Sequence, residues 1–221
     1  MQLEILFEDK DIIVCYKPSS VATQTKKFGE QDMESALKNY LKGGYVAVIH
    51  RLDQPVEGIL VFAKTPFAAK ELNKGLQGAG FGKHYQAVLC GKPQQEKGTL
   101  EDYLIKDGRT NTSKVSNAKD KDAKKAVLHY EVLKYEEINH QNLALVKVQL
   151  ETGRHHQIRV QMANMGCPIW GDGKYNTKSM PEGRSFQIAL CAYRLEFTHP
   201  RSKERLTFEI EPRGQGFSLI S

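Results

Sequence analysis

The chain has little of what staples small folds together. Its four cysteines, Cys15, Cys90, Cys167 and Cys191, stand far apart without a C-x-x-C pair, which argues against a zinc site or a disulfide framework and suits reduced, isolated thiols. Apolar runs such as Ile59 to Ala63 fall far short of the ~20 residues a membrane helix needs. The start, Met1 to Phe7, lacks a basic segment followed by an apolar one, so the expectation is an untargeted cytoplasmic protein with no membrane partner. No G-x-G-x-x-G opens a helix after a strand. The stretch Gly78 to Lys83 has glycines one residue too close for a phosphate loop and His84 where Ser or Thr is required, and reads as a tight turn. His155 and His156 are adjacent and would diverge on a helix, a poor pair of metal ligands. The expectation is therefore no nucleotide cofactor and no metal.

What is present is a globular composition: 221 residues, 40% hydrophobic and 26% charged, which excludes disorder and a coiled coil and predicts one domain. A chain of this length can bury roughly 70% of its unfolded surface, so its core needs no staple. The net charge of +6 and pI near 9.0 favour a polyanionic partner, nucleic acid first.

Along the chain, Ile5, Phe7 and the run Ile12 to Tyr16 read as a hairpin. Asp32 can cap a helix carrying Met33, Ala36, Leu37, Tyr40 and Leu41, closed by Gly43-Gly44. Strands at Tyr45 to Ile49 and Ile59 to Ala63 flank the loop that holds His50-Arg51-Leu52-Asp53, and Thr65-Pro66 opens a helix through Leu76. Further strands are expected at Tyr85 to Cys90, Ala126 to Tyr135, Leu143 to Glu151, Phe186 to Phe197 and Arg205 to Ile210. One helix interrupts them, starting near Thr152-Gly153, carrying His155 to Met165 and ending at Gly166. Residues Lys106 to Lys125 hold seven Lys/Arg against three Asp with almost no apolar residue, a flexible basic loop. The pattern predicts a single α+β domain with a mixed, mainly antiparallel sheet flanked by helices and loops.

Two segments are hard to explain as packing alone. In His50 to Gly58, four ionisable side chains fall inside a Pro/Gly-bounded loop that feeds a buried strand, where function is often carried; a solvated turn is the alternative. In Thr152 to Arg159, Arg154 and Arg159 lie five residues apart, so on an ideal helix they diverge by roughly 140° and cannot bind one small group. An ordinary basic helix start, with Ile158 and Met162 packed inward, is the alternative there.

Taken together the segments resemble the RluA-like family of RNA pseudouridine synthases. The family's H-R-L-D-x-x-T-S-G, apolar strand and A-K are similar to His50 through Lys64; its K-x-Y to Lys83-His84-Tyr85; its T-G-R-x-H-Q-I-R-V to Thr152 through Val160; its G-x-P-I-x-G-D-x-x-Y to Gly166 through Tyr175. Leu6-Phe7-Glu8-Asp9, Lys17-Pro18 and Thr198-His199-Pro200 fall in family order, so the likeness runs from about Leu3 to Pro212. It implies isomerisation of uridine to pseudouridine in ribosomal or transfer RNA without a cofactor, in a cleft where the Asp53 loop meets Arg159 and Tyr85. By position Asp53 resembles the catalytic aspartate, either attacking an electrophilic carbon or assisting proton removal and stabilising charge at the sugar. Either role needs an ionised carboxylate, which burial disfavours and a paired guanidinium restores; Arg159 resembles that partner. Tyr85 matches the tyrosine that stacks on uracil and is placed to handle its C5 proton, a role for which a phenol's ordinary pKa of about 10 needs help. Arg51 resembles the arginine that helps displace the target nucleotide from its stack. Lys83, Arg154 and His156 join Arg51 as candidate RNA contacts, with the basic segment as a further source of phosphate contacts.

The first strand begins within a few residues of Met1, which implies the short form of the family, gripping RNA through the catalytic domain itself. Val56-Glu57 replace the usual Thr-Ser, and Glu57 is expected to point to solvent or to pair with a basic residue. Cys191 stands near a position where relatives have His. Two other readings are weighed: an RNA-binding or ribosome-assembly protein that has lost turnover on the same fold, and an aspartate-dependent hydrolase of an anionic small molecule, which explains none of the motif order.

Overall fold

A computed structural model describes residues 2–25, 29–78, 80–176 and 186–220. The chain divides into two compact units, one of residues 1–83 and 192–212, the other of residues 84–191 and 213–221. The boundaries fall within two strands, β5 (Phe81–Cys90) and β10 (Leu190–Thr198).

The first unit opens with the expected hairpin, β1 (Glu4–Glu8) and β2 (Ile12–Lys17). Asp9 turns it: its Oδ1 accepts from the Asp11 and Ile12 N–H groups, each at 2.8 Å. β2 then pairs antiparallel with β4 (Glu57–Ala63), from Ile12 opposite Ala63 to Lys17 opposite Gly58. Both strands are buried throughout, which explains their continuous apolar runs. Short β3 (Ala47–Val48) lies on β4, and β11 (Arg205–Glu209) on β10.

Helix α1 (Met33–Tyr40) is capped by Asp32, whose Oδ1 accepts from Ser35 N at 2.7 Å. Helix α2 (Pro66–Gln77) is capped by Thr65, accepting from Ala68 N at 3.1 Å with Pro66 in the first turn. Ala68, Ala69 and Leu72 of α2 pack on Ile12, Val14, Ile59 and Val61. Phe81, Phe197 and Phe208 continue this core as a row of stacked rings 5.6 and 5.9 Å apart.

The second unit is an antiparallel sheet in the order β5, β9 (Gln141–Leu150), β8 (Lys124–Ile138), β6 (Lys97–Asp107), β7 (Thr112–Ser116), with α3 (Gln157–Asn164) packed on it. The α+β class and the mainly antiparallel sheet agree with expectation.

Several details differ. The basic segment is not one flexible loop: Lys106 and Asp107 end β6, Thr112–Ser116 form β7 in register with it, and only residues 117–123 connect to β8. The expected turn of residues 78–83, in which Ala79 lies outside the described residues, gives way to β5 from Phe81. The strand expected from Phe186 begins at Leu190. Helix α3 starts at Gln157, leaving Arg154, His155 and His156 before it.

Candidate active site

In the first unit Asp53 occupies the turn before β4, and the residues on either side of it are fastened from below. Leu52 gives its N–H to Thr23 Oγ1 and takes the Thr23 hydroxyl proton on its carbonyl, both at 3.1 Å. The turn closes on itself through Val56 N to Asp53 O at 3.0 Å. Lys17, fully buried, donates to the carbonyls of Pro18 at 2.9 Å, Val21 at 2.6 Å and Gln54 at 3.0 Å, while Ser19 Oγ bonds Pro55 O at 2.8 Å. The loop is thus set against the segment after β2, with Asp53 half-buried.

His50 anchors the near end. Its Nε2 accepts from Val61 N at 3.3 Å, and burial, with the charge of Lys83, pulls the imidazole down to about 3. The ring is neutral and its proton sits on Nδ1. Lys83 is half-buried, and burial lowers it below the usual lysine value. Arg51 is exposed, giving NH2 to Gln24 Oε1 at 2.8 Å.

Gly58 belongs to this construction. Its φ of +140° suits glycine, and a Cβ there would lie 2.6 Å from the Ala192 backbone and Cβ. Of the two expectations for Glu57, solvent or a basic partner, the first fails: it is 1% exposed and accepts from the Tyr16 hydroxyl at 2.5 Å. The basic group it acts on is Lys17.

In the second unit Tyr85 is buried on β5 opposite Val148 of β9. Arg159, in the first turn of α3, is 4% exposed. A buried guanidinium requires a counter-charge, and Asp172 supplies it through two bonds, Nε to Oδ2 at 2.8 Å and NH2 to Oδ1 at 2.7 Å. The same Oδ1 accepts from Lys174 N at 3.0 Å. The Arg159 guanidinium also lies 5.1 Å from the Tyr175 ring centre.

The motif before α3 is shaped by side chains rather than by a helical turn. Gln157 Oε1 accepts from Thr152 Oγ1 at 2.8 Å and Arg154 N at 2.9 Å, and His156 adopts φ 53°. His155 and His156 therefore do not diverge as on a helix but stack, 3.8 Å between centres. The Tyr175 hydroxyl accepts from Ser113 N at 2.8 Å and shares a hydrogen bond with His156 Nδ1 at 2.7 Å. Burial, with the charge of Arg159 next, pulls His156 down to about 3, so the ring is neutral. His155 in turn bonds Ser113 Oγ at 2.8 Å and Asn111 Oδ1 at 3.1 Å.

Among the four RNA-contact candidates His156 is buried and bonds the Tyr175 hydroxyl, which in turn accepts from Ser113 N of β7. Arg154 is exposed and gives Nε to Lys125 O at 2.8 Å. The expected divergence of Arg154 and Arg159 assumed one helix, whereas Arg154 lies before α3. Asp172 and Lys17 are functional supports that residue reading assigned no role. A buried arginine's need for an acid, and the polar Lys17 closing an apolar strand, were the signals available.

An α+β fold that presents an aspartate on a braced turn and an acid-paired arginine at a helix start defines the class. The chain belongs to the RNA pseudouridylate synthase family, whose model matches residues 11–164. It is 35% identical over 178 residues to ribosomal large subunit pseudouridine synthase C of Rickettsia prowazekii, an alignment covering 80% of this chain and 57% of that protein. It is 32% identical over 213 residues to the RNA pseudouridine synthase YhcT of Bacillus subtilis, covering 94% of this chain and 68% of the relative. The chain thus spans little more than half the length of the rickettsial protein. In fold it is similar to human RNA pseudouridylate synthase domain containing 1, with TM-score 0.81 at 23% identity over 95% of this chain and 83% of that one.

Proposed function

We propose that this protein isomerises uridine to pseudouridine in RNA, with Asp53 as the catalytic carboxylate and no cofactor. The observation that carries the reading is the bracing of the Asp53 turn by Thr23, Lys17 and Ser19, which holds one carboxylate in a fixed place at a strand start. The reaction breaks the N1–C1′ bond, rotates the freed uracil and joins C5 to C1′. C5 gives up its proton and N1 gains one, so no electrons are exchanged and no redox partner is needed. Asp53 acts at the sugar carbon or on a proton beside it; both roles use a charged oxygen whose position is fixed in advance.

Tyr85, buried on β5, offers a flat face for uracil and a hydroxyl for the C5 proton. Arg159, held by Asp172, supplies positive charge to a developing anion. Exposed Arg51, Arg154 and half-buried Lys83 contact phosphates or displace the target nucleotide, together with lysines of the β7–β8 segment. Ribosomal RNA is the first substrate to test, since the rickettsial relative is named for the large subunit, and the compartment is the cytoplasm, where four buried free cysteines stay reduced.

Carbodiimide mapping of pseudouridine in ribosomal and transfer RNA from cells lacking the protein tests this, with complementation by wild type or Asp53→Asn. A site restored by wild type alone is expected. If no site changes while the purified protein still binds RNA, the isomerase reading gives way to a binding protein on the same fold.

A further inference from the structure

Glu57 stands where the family motif has a hydroxyl residue, yet it is buried at the foot of the Asp53 turn. Beside it lies Lys17, fully buried, with all three of its N–H donors spent on carbonyls: Pro18, Val21 and Gln54. Three acceptors around one nitrogen demand an ammonium. A neutral amine has only two protons and would aim its lone pair at a carbonyl oxygen, leaving the turn short of one tie.

We propose that Glu57 is a positioning residue for the Asp53 turn: its carboxylate, fixed by the Tyr16 hydroxyl, keeps Lys17 an ammonium and so keeps Pro18, Val21 and Gln54 tied together. The inference rests on the reading of Asp53 as catalytic, and it explains why a second carboxylate is useful there. Burial pulls Lys17 down to about 7, against which the carboxylates of Asp53, then Glu57, push upward; Tyr16 meets the same cluster through its bond to Glu57. When Asp53 bonds to the sugar or takes a proton, its charge is spent. Lys17 would then lose the larger of its two counter-charges at the moment the turn has to hold its shape. Glu57 takes no part in the chemistry, so the reaction leaves its carboxyl group untouched.

The experiment follows the Lys17 side chain by NMR of lysine-labelled protein between about pH 5 and pH 9, in wild type, Glu57→Gln, Glu57→Asp and Asp53→Asn. Turnover of total RNA from the deletion strain is measured in parallel. Loss of one nearby opposite charge shifts such a group by about one pH unit or more. In Glu57→Gln, which keeps the shape and an acceptor for Tyr16, the Lys17 midpoint should fall by about that much. Its kcat should approach wild type near pH 5 and drop as the pH rises, with the alkaline limb displaced by the same amount. Glu57→Asp, which keeps the charge, should restore both.

An unmoved Lys17 midpoint in Glu57→Gln overturns the proposal, as does a kcat lowered equally at every pH. So does a wild-type Lys17 already neutral near pH 6, a result that stands even if Glu57→Gln does not fold. Failure of the catalytic reading looks different: Asp53→Asn would turn over RNA normally, while the Lys17 midpoints still decide the role of Glu57.

Discussion

Single residues carry this structure where charge is buried. Arg159 and Asp172 have side chains only 5% and 0% exposed, so each is the condition for the other's burial. Removing one partner of such a pair leaves a charge in low dielectric, a change that costs about 3–5 kcal/mol. Asp172→Ala is therefore expected to lower unfolding stability by about that amount in urea titrations and to abolish turnover. Arg159→Lys keeps the charge but gives up the planar fork that meets both carboxylate oxygens. It should lose activity more steeply than stability, and equal losses in both would reduce Arg159 to a purely structural group.

Elements show why some of this was open to residue reading and some was not. Asp32 and Thr65 announced α1 and α2 because a cap is a local bond, Asp32 to Ser35 N and Thr65 to Ala68 N, written within four residues. β2 and β4 were equally plain, since strands buried on both faces carry unbroken apolar runs. β6 and β7 were missed because their pairing, Leu104 opposite Val115 and Lys106 opposite Ser113, joins segments whose composition is that of a loop. Their stability comes from partners elsewhere in the chain: His155 on Ser113, Tyr175 on the Ser113 N–H, and Lys174 Nζ on Asn111 O at 2.7 Å. The start of α3 moved for a similar reason, because Gln157 ties Thr152 and Arg154 into a turn no helical period encodes. Asp53, Tyr85 and Arg159 were picked out by motif order, whereas the bracing by Lys17 and Glu57 depends on strand register.

The hairpin also refines where phosphates would bind. Lys125 is paired with Glu101 at 2.8 Å, leaving Lys106, Arg109, Lys114, Lys119, Lys121 and Lys124 as the exposed cations of the segment. Removing one lysine–phosphate pair reduces the slope of log affinity against log salt by about one. Replacing Lys114, Lys119, Lys121 and Lys124 by Ser should weaken RNA binding at low salt and flatten that slope. The same slope with weaker binding would place the footprint elsewhere.

At the scale of the whole molecule, the four thiols report on how the chain opens. Cys15 lies in the first unit and Cys90, Cys167 and Cys191 in the second, all between 0% and 5% exposed. Burial pushes the Cys15 thiol up to about 12 and raises Cys90 and Cys167 as well. A disulfide reagent reacts with the thiolate and needs access to it, so both conditions fail in the native state and labelling must wait for opening. The native protein should show no fast-reacting thiol toward Ellman's reagent at neutral pH and four in urea. The labelling rate should follow the population of open molecules, rising with urea. Because Cys15 is separate from the other three, mass spectrometry of the partly labelled protein tells which unit gives way first. Simultaneous labelling of all four marks a single cooperative transition, and Cys15 labelling apart from the rest marks two. A thiol that reacts at once in native buffer would contradict the burial from which both expectations start.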